Sequence, residues 1–312
     1  MKNNSILFLM IILLSACSKE RRSDKAGTKM QEFVINISNY AREFDSDFIV
    51  VPQNGAELAF DELSPDNGLN SAYMAAIDGI GIEELFYNGD LFPEDERLSM
   101  LQTLTASKKI MVSEYVTDDL NIQDAIQRNT QEGFICFPRT NLNYDYTQIP
   151  DSVINENNNN ILSIEDAQNY LYMISTDNYS TKQEMIDSIA ATSFDVILID
   201  LFFEDDALST TEVEQLKTKA NGGQRLVISY MNIGAAESYR YYWNPKWKLH
   251  RPCWLKKPYD GYVDEIWVKF WKKEWQEIIY GNDNSYTKKI INAGFDGVYL
   301  DNVEAYYFLY FD

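Results

Sequence analysis

Carboxylates stand at the polar ends of apolar runs throughout this chain. Glu83 and Glu84 follow IDGIGI, Glu114 lies in IMVSEYV, Asp200 ends VILID and Asp301 ends GVYLD, with Glu237 and Glu304 in the loops that follow two such runs. A buried strand that ends in an acid delivers it to the mouth of a sheet or barrel, and this is more acid than a core tolerates without purpose. Other catalytic sets have little to build from. The chain holds one His, His250, and after Cys17 only Cys136 and Cys253, whose placing indicates no pair. A His-based triad, a multi-His metal site and a Cys/His zinc site are all poorly supplied. Acid–base chemistry falls mainly to carboxylates, and no metal or organic cofactor is required.

These acids need elements to hold them. Eight short runs rich in β-branched or aromatic residues end in polar groups: 48–55, 77–87, 110–116, 133–139, 170–175, 196–203, 226–234 and 297–303. Helix-like stretches such as QDAIQRNTQEG and TTEVEQLKTKAN lie between them, the first ending in the Gly that a helix C-cap prefers. Repeated strand–helix units with apolar strands predict an α/β fold with a parallel sheet, and eight of them predict a closed (β/α)8 TIM barrel. The longest gap, 235–296, holds all six Trp and predicts an aromatic-rich insertion before the last strand, folded over one barrel end. Little chain follows the last run to cover it. Segment 29–44, however, has apolar residues at 30, 33, 34, 37, 40, 41 and 44, the spacing of an amphipathic helix that can supply this cover from the N-terminus.

The chain has 312 residues, 45% of them hydrophobic, enough for one large domain or two small ones. A formal charge of -21 repels phosphate backbones and argues against a nucleic-acid partner. Residues 1–17 read as a secretory signal: a Lys, an apolar stretch from Ile6 to Leu14 too short to span a bilayer, and small residues before Cys17. The arrangement resembles the bacterial lipoprotein signal, in which the Cys becomes the lipidated first residue of the mature chain. It implies export across the inner membrane and tethering by lipid on Cys17, at the periplasmic face or the cell surface, with residues 18–28 as a polar linker.

The segments FDVILIDLF, VISYMNIGAAESYRYYW, WVKFWKKEW, AGFDGVYLDNVEAY, DFIVVPQNGAEL, IDGIGIEELFY and VSEYV resemble glycoside hydrolase family 114, the endo-α-1,4-polygalactosaminidase-like proteins, which have a TIM-barrel fold. In that family the order begins with the segment corresponding to YLYMIS. Here the later group comes first, so the resemblance implies a circular permutation within the domain 29–312: residues 29–150 correspond to the family's C-terminal half and 168–308 to its N-terminal half. Residues 151–167 join the old ends, and the four consecutive Asn of DSVINENNNNILSIE read as a surface linker. Permutation is tolerated where natural termini lie close together and the new cut falls in an exposed connection.

The resemblance implies hydrolysis of O-glycosidic bonds in an extracytoplasmic polysaccharide, with α-1,4-linked galactosamine as a candidate. Such bonds are typically cleaved by two carboxyl groups, one protonating the leaving oxygen and the other attacking or activating water. The family's catalytic Asp falls on Asp301 in YLDN and its catalytic Glu in IEELF. Strand alternation lets only one of the adjacent Glu83 and Glu84 face the site, and the following Leu-Phe-Tyr favours Glu83. Asp301 is then nucleophile or base and Glu83 general acid, or the roles are exchanged. Asp200 and Glu114 match acidic family positions, as sugar-hydroxyl ligands or as structural carboxylates bonded to backbone. Gln53, Asn54, Glu237 and Arg240 match recurring positions, and Arg240 is suited to hold one carboxylate ionised while another stays protonated. Glu304 stands where the family more often has Asp. Tyr239, Trp243 and Trp271, in the aromatic insertion, are candidates to stack on sugar rings, the alternative being a satellite core. A catalytically silent glycan-binding lipoprotein on the same fold is the competing reading.

Overall fold

The computed structural model describes residues 2–140 and 146–311, with side chains from residue 18 onward. The side chains of Cys17 and of the apolar run before it, read above as lipid site and signal, lie outside the described residues. No helix among those described is long and apolar enough to cross a membrane.

Each of the eight apolar runs forms a strand. In chain order these are β1 (Ile49–Pro52), β2 (Gly79–Leu91), β3 (Lys109–Val116), β4 (Ile135–Arg139), β5 (Tyr170–Tyr172), β6 (Val196–Asp200), β7 (Leu226–Asn232) and β8 (Gly297–Asp301). The helices are α1 (Lys2–Arg42), α2 (Ser71–Ala76), α3 (Asp95–Leu104), α4 (Ile122–Gln131), α5 (Lys182–Ala190), α6 (Thr210–Leu216), α7 (Lys273–Ile279), α8 (Tyr286–Ala293) and α9 (Ala305–Phe308). Their ends follow local rules: Ser209 and Glu212 form a capping box at the start of α6, and Gly133 takes φ 81 just past α4.

The eight strands pair in parallel, as runs buried on both faces do. Five lie in the order β1-β8-β7-β6-β5 and three in the order β2-β3-β4. The sheets meet on one side through a parallel bridge between Gln53 and Gly81, where the Asn54 N–H donates to the Gly81 carbonyl at 2.7 Å. On the other side β4 and β5 face each other through side chains, the Phe137 and Tyr170 rings 5.7 Å apart. Between the sheets the interior is filled, and Gly81 is required there. A Cβ at that position would lie 1.8 Å from the Tyr299 hydroxyl, so only glycine lets the β8 ring reach across to β2.

α1 occupies the place left open beside the last strand. Met30, Phe33, Val34, Ile37 and Ala41 are buried, each large apolar side chain contributing ~1.5–3 kcal/mol. Ser23 Oγ donates to the Tyr306 carbonyl at 3.2 Å, beyond β8. Gln31 Nε2 donates to the carbonyls of Leu58 and Phe60 at 2.8 and 2.9 Å, beyond β1. At the far end Arg42 pairs with Asp78 at 2.8 Å, just before β2. α1 therefore runs from the C-terminal ends of the strands to their N-terminal ends. Residues 18–28, expected as a linker, belong to this helix, with Ser23 and Ala26 buried. The reason is that the buried face extends one more turn: a Cβ on Gly27 would meet Leu63 at 2.2 Å.

The Asn-rich stretch, expected as a loose surface linker, is also tied down. Lys219 and Asp195, both fully buried at the N-terminal ends of β7 and β6, pair at 2.7 Å. Asn157 donates to both Asp195 oxygens at 3.1 and 3.0 Å and accepts from Lys219 Nζ at 3.2 Å. Asn160 Oδ1 accepts from the Gln224 N–H at 3.0 Å. Asparagine carries both donors and acceptors, so it satisfies a buried ion pair that an apolar residue would leave short. Cys136, buried, and Cys253, exposed, are both free.

Candidate active site

A cavity of about 1060 Å³ opens at the C-terminal ends of the strands. Gln53, Asn54, Glu83, Asp200, Glu237, Tyr239, Arg240, Asp301 and Glu304, all expected from the sequence, line it. They come from β1, β2, β6, the segment after β7, and the end of β8, so parallel strands aim distant parts of the chain at one mouth.

Glu83 and Glu84 both line the cavity, against the expectation that only one could. β2 pairs regularly with β3 as far as Glu83, after which the register shifts until Asn88, and Glu84 takes φ 59. A bulge of this kind breaks the alternation of side chains. The two acids still differ in surroundings. Glu84 is ion-paired with Arg139 of β4. Glu83 accepts from the Tyr146 hydroxyl at 2.5 Å, and its own N–H donates to Asn54 Oδ1 at 3.1 Å. Asn54 and Asn302 share the left-handed backbone, with φ 59 and 60. Asn tolerates this region better than Glu, so the strain falls on Glu84 at the bulge in β2, beside the cavity.

Glu114 stands apart from the cavity. It is 0% exposed, absent from the cavity wall, and lies beneath the bulge. Its carboxylate accepts from the N–H groups of Phe86 (3.1 and 3.2 Å) and Tyr87 (3.0 Å) and from Asn129 Nδ2 (2.8 Å). It thus satisfies the backbone donors that the register shift removes from the ladder.

Asp301 ends β8 with three donors on its oxygens: the Tyr230 hydroxyl at 2.5 Å, the Asn302 N–H at 2.6 Å and Asn302 Nδ2 at 3.1 Å. Burial nevertheless raises its pKa to about 7, opposed by the Tyr230 bond and reinforced by the charge of Glu83. Burial raises Glu83 as well, with Tyr146 and Arg139 opposing. Glu304 is pushed up to about 8 by burial and then by Glu57. Glu265 is pushed up to about 8 by burial and then by Glu237, its cross-strand neighbour. Arg240 pairs with two carboxylates, where the sequence reading gave it one. Its guanidinium bridges Asp200 (2.6 Å) and Glu237 (2.8 Å), both nearly buried. The cavity thus carries two carboxylates paired to a fixed cation beside others whose protons are retained by burial.

Of the aromatic candidates, Tyr239 lines the cavity and donates to Glu237 at 2.7 Å. Trp243 and Trp271 do not line it. Trp243 stands edge-on to Trp247 at 5.5 Å, Trp247 to Trp254 at 5.0 Å, and Trp254 lies 5.2 Å from Trp275, forming a satellite core. Trp271 packs edge-on to Phe270 at 5.0 Å, beneath the ammonium of Lys29. The insertion reaches the cavity through Glu237, Tyr239 and Arg240 near its start and through residues 259–265, whose Tyr259 stacks on Trp267 at 4.2 Å. Sequence reasoning missed Tyr146, Tyr172, Tyr230, Tyr259 and Glu265. Tyr172 and Tyr230 carried a usable signal, a hydroxyl near the polar end of an apolar strand. Tyr146 had none, since it lies outside any strand yet stacks on Tyr172 at 3.7 Å.

The family model for glycoside-hydrolase family GH114 matches residues 154–309. An uncharacterized protein of Methanocaldococcus jannaschii is 39% identical over 131 residues, 41% of this chain and 36% of that protein. Uncharacterized proteins of Thermotoga maritima and Deinococcus radiodurans are 31% and 32% identical over 38% and 40% of this chain, covering 35% and 38% of their own lengths. The aligned stretch thus spans little more than a third of these relatives. With the match running from before β5 to the end of α9, this chain belongs to glycoside-hydrolase family GH114.

Proposed function

We propose that the protein hydrolyses O-glycosidic bonds in an extracytoplasmic polysaccharide, with Glu83 as general acid and Asp301 as nucleophile or base. The observation that carries this is the pairing of two electrostatically coupled carboxyls in one large cavity, each bonded to a tyrosine hydroxyl. Three donors favour the ionised form of Asp301, while burial favours the protonated form of Glu83. Glu83 would give its proton to the leaving oxygen as Asp301 attacks the sugar or takes a proton from water. Asp200 and Glu237, both paired to Arg240 and both on the cavity wall, are placed as hydroxyl or ammonium acceptors. Eleven acidic and two basic residues line the cavity, which suits a partly cationic chain, so α-1,4-linked galactosamine is the polymer to test first.

The same reading makes the fold a circularly permuted (β/α)8 barrel. The family match falls on the half that carries β5 to β8, β1 to β4 precede it, and α1 packs between α8 and α2. Lipid on Cys17 would hold the enzyme at a membrane outside the cytoplasm. The test is to incubate protein lacking residues 1–17 with amino-sugar and neutral polysaccharides and follow oligosaccharides by mass spectrometry. Products are expected from wild type, with Asp301→Asn and Glu83→Gln slower by ~10²- to 10⁴-fold. Near-wild-type rates in both variants would sink the assignment, and binding without products by wild type and variants alike would indicate a glycan-binding module.

A further inference from the structure

We propose that the first turns of α1 rest on an anionic lipid surface and turn the mouth of the cavity toward the membrane. The inference rests on the lipid-anchor reading of Cys17 and concerns which face of the molecule that anchor presents. α1 enters the fold at the mouth. Ser23 bonds the carbonyl of Tyr306, two residues beyond the cavity-lining Glu304, whereas Arg42 ends the helix at the opposite face, beside Asp78. Cys17 stands six positions before Ser23 in the same helix. At the helical rise this is about 9 Å of chain, too short and too stiff to let the body turn over. A flexible leash of the same length would permit any orientation. The helix does not.

Charge points the same way. Lys19, Arg21, Arg22 and Lys25 are exposed and outnumber Glu20 and Asp24 in the turns next to Cys17, on a chain whose formal charge is -21. Among the described residues none of the four is ion-paired. A basic segment beside a lipid anchor is drawn to an anionic leaflet, which holds the first turns of α1 against it although the cavity itself is lined mainly by acids. The substrate would then be a glycan chain lying close to the bilayer, since the cavity opens on the side where the helix leaves the body.

The full-length, processed protein tests this in a Cys253→Ser background, reconstituted in vesicles of phosphatidylcholine and phosphatidylglycerol. A fluorophore is placed on Val263→Cys at the cavity rim, where the native side chain is 98% exposed, or on Ser46→Cys past the far end of α1. A headgroup nitroxide lipid is the quencher. Quenching at 263 is expected to exceed that at 46 several-fold, and a Lys19→Glu, Arg21→Glu, Arg22→Glu variant, still bound, is expected to lower the ratio by lifting the mouth off the lipid without inverting it. Equal quenching, or stronger quenching at 46, on vesicle-bound protein would overturn the orientation and leave the anchor standing. Protein that fails to stay with the vesicles would overturn the anchor reading and this inference with it. A ratio that the charge reversal leaves unchanged would refute the contact between the basic turns and lipid.

Discussion

Replacing Tyr230 by Phe should move the ionisation of Asp301 to higher pH. The phenol donates to Asp301 Oδ2 at 2.5 Å from a nearly buried position, so water cannot readily replace it. A hydrogen bond to a charged group contributes ~1.5–3 kcal/mol. At ~1.4 kcal/mol per pKa unit, its loss from the ionised form raises the pKa by roughly one to two units. Asp301 titrates at about 7 in the intact site and would move to roughly 8–9 in the variant. Removing the hydroxyl takes away no apolar contact, and the Asn302 donors stay in place. The measurement is a carboxyl-carbon NMR titration with labelled aspartate, the Asp301 signal assigned by its loss in Asp301→Asn. It needs no substrate. Where a substrate is found, the acid limb of the rate profile should move in the same direction, because a nucleophile or base acts ionised. A midpoint that stayed put or fell would refute the claim that Tyr230 holds this carboxylate.

Other consequences can be checked alongside. Glu265 and Glu304 titrate at about 8, above their unfolded value near 4.5, so the folded state binds their protons more tightly. Their contribution to stability is complete below about pH 4.5 and is lost as pH rises toward 8, so the urea midpoint should fall between pH 5 and 9, and the double variant Glu265→Gln, Glu304→Gln should flatten that fall. Glu114→Ala leaves buried N–H groups of Phe86 and Tyr87 unpaired and should destabilise by ~2–4 kcal/mol in urea, with faster amide exchange at those residues. Arg240→Met strands the buried Asp200 and Glu237 and should cost ~3–5 kcal/mol by chemical denaturation. Arg240→Lys should recover only part of this, because one ammonium cannot match the guanidinium's planar fork.

How far the residues alone could be read depends on the range of the interaction that decides each feature. Strands and the cover helix are local matters. A run such as VILID is apolar at every position because both faces are buried, and the spacing of Phe33, Val34 and Ile37 marks one helical face wherever the helix docks. Strand-end acids such as Asp301 and Asp200 were legible for the same reason, since parallel strands bring their C-terminal ends together whatever the loops do. Glu114 shows the limit. In sequence it resembles the other strand-end acids, and only the bulge in the neighbouring strand shows its carboxylate bonded to backbone. The tryptophans failed likewise, because an aromatic ring packs as well on another ring as on a sugar and nothing local distinguishes the two.

The sequence by itself determined that the chain would build parallel strands with carboxylates at their ends, a terminal helix beside the last strand, and a site with no histidine pair to rely on. Only the tertiary structure decided which acids face open space, that both Glu83 and Glu84 do so, and that Asp301 titrates near neutrality. Apolar periodicity is written within a dozen residues. A carboxyl's proton affinity, by contrast, is set by whatever burial and partners surround it, here Tyr230 and Glu83, far apart in the chain and brought together only by folding.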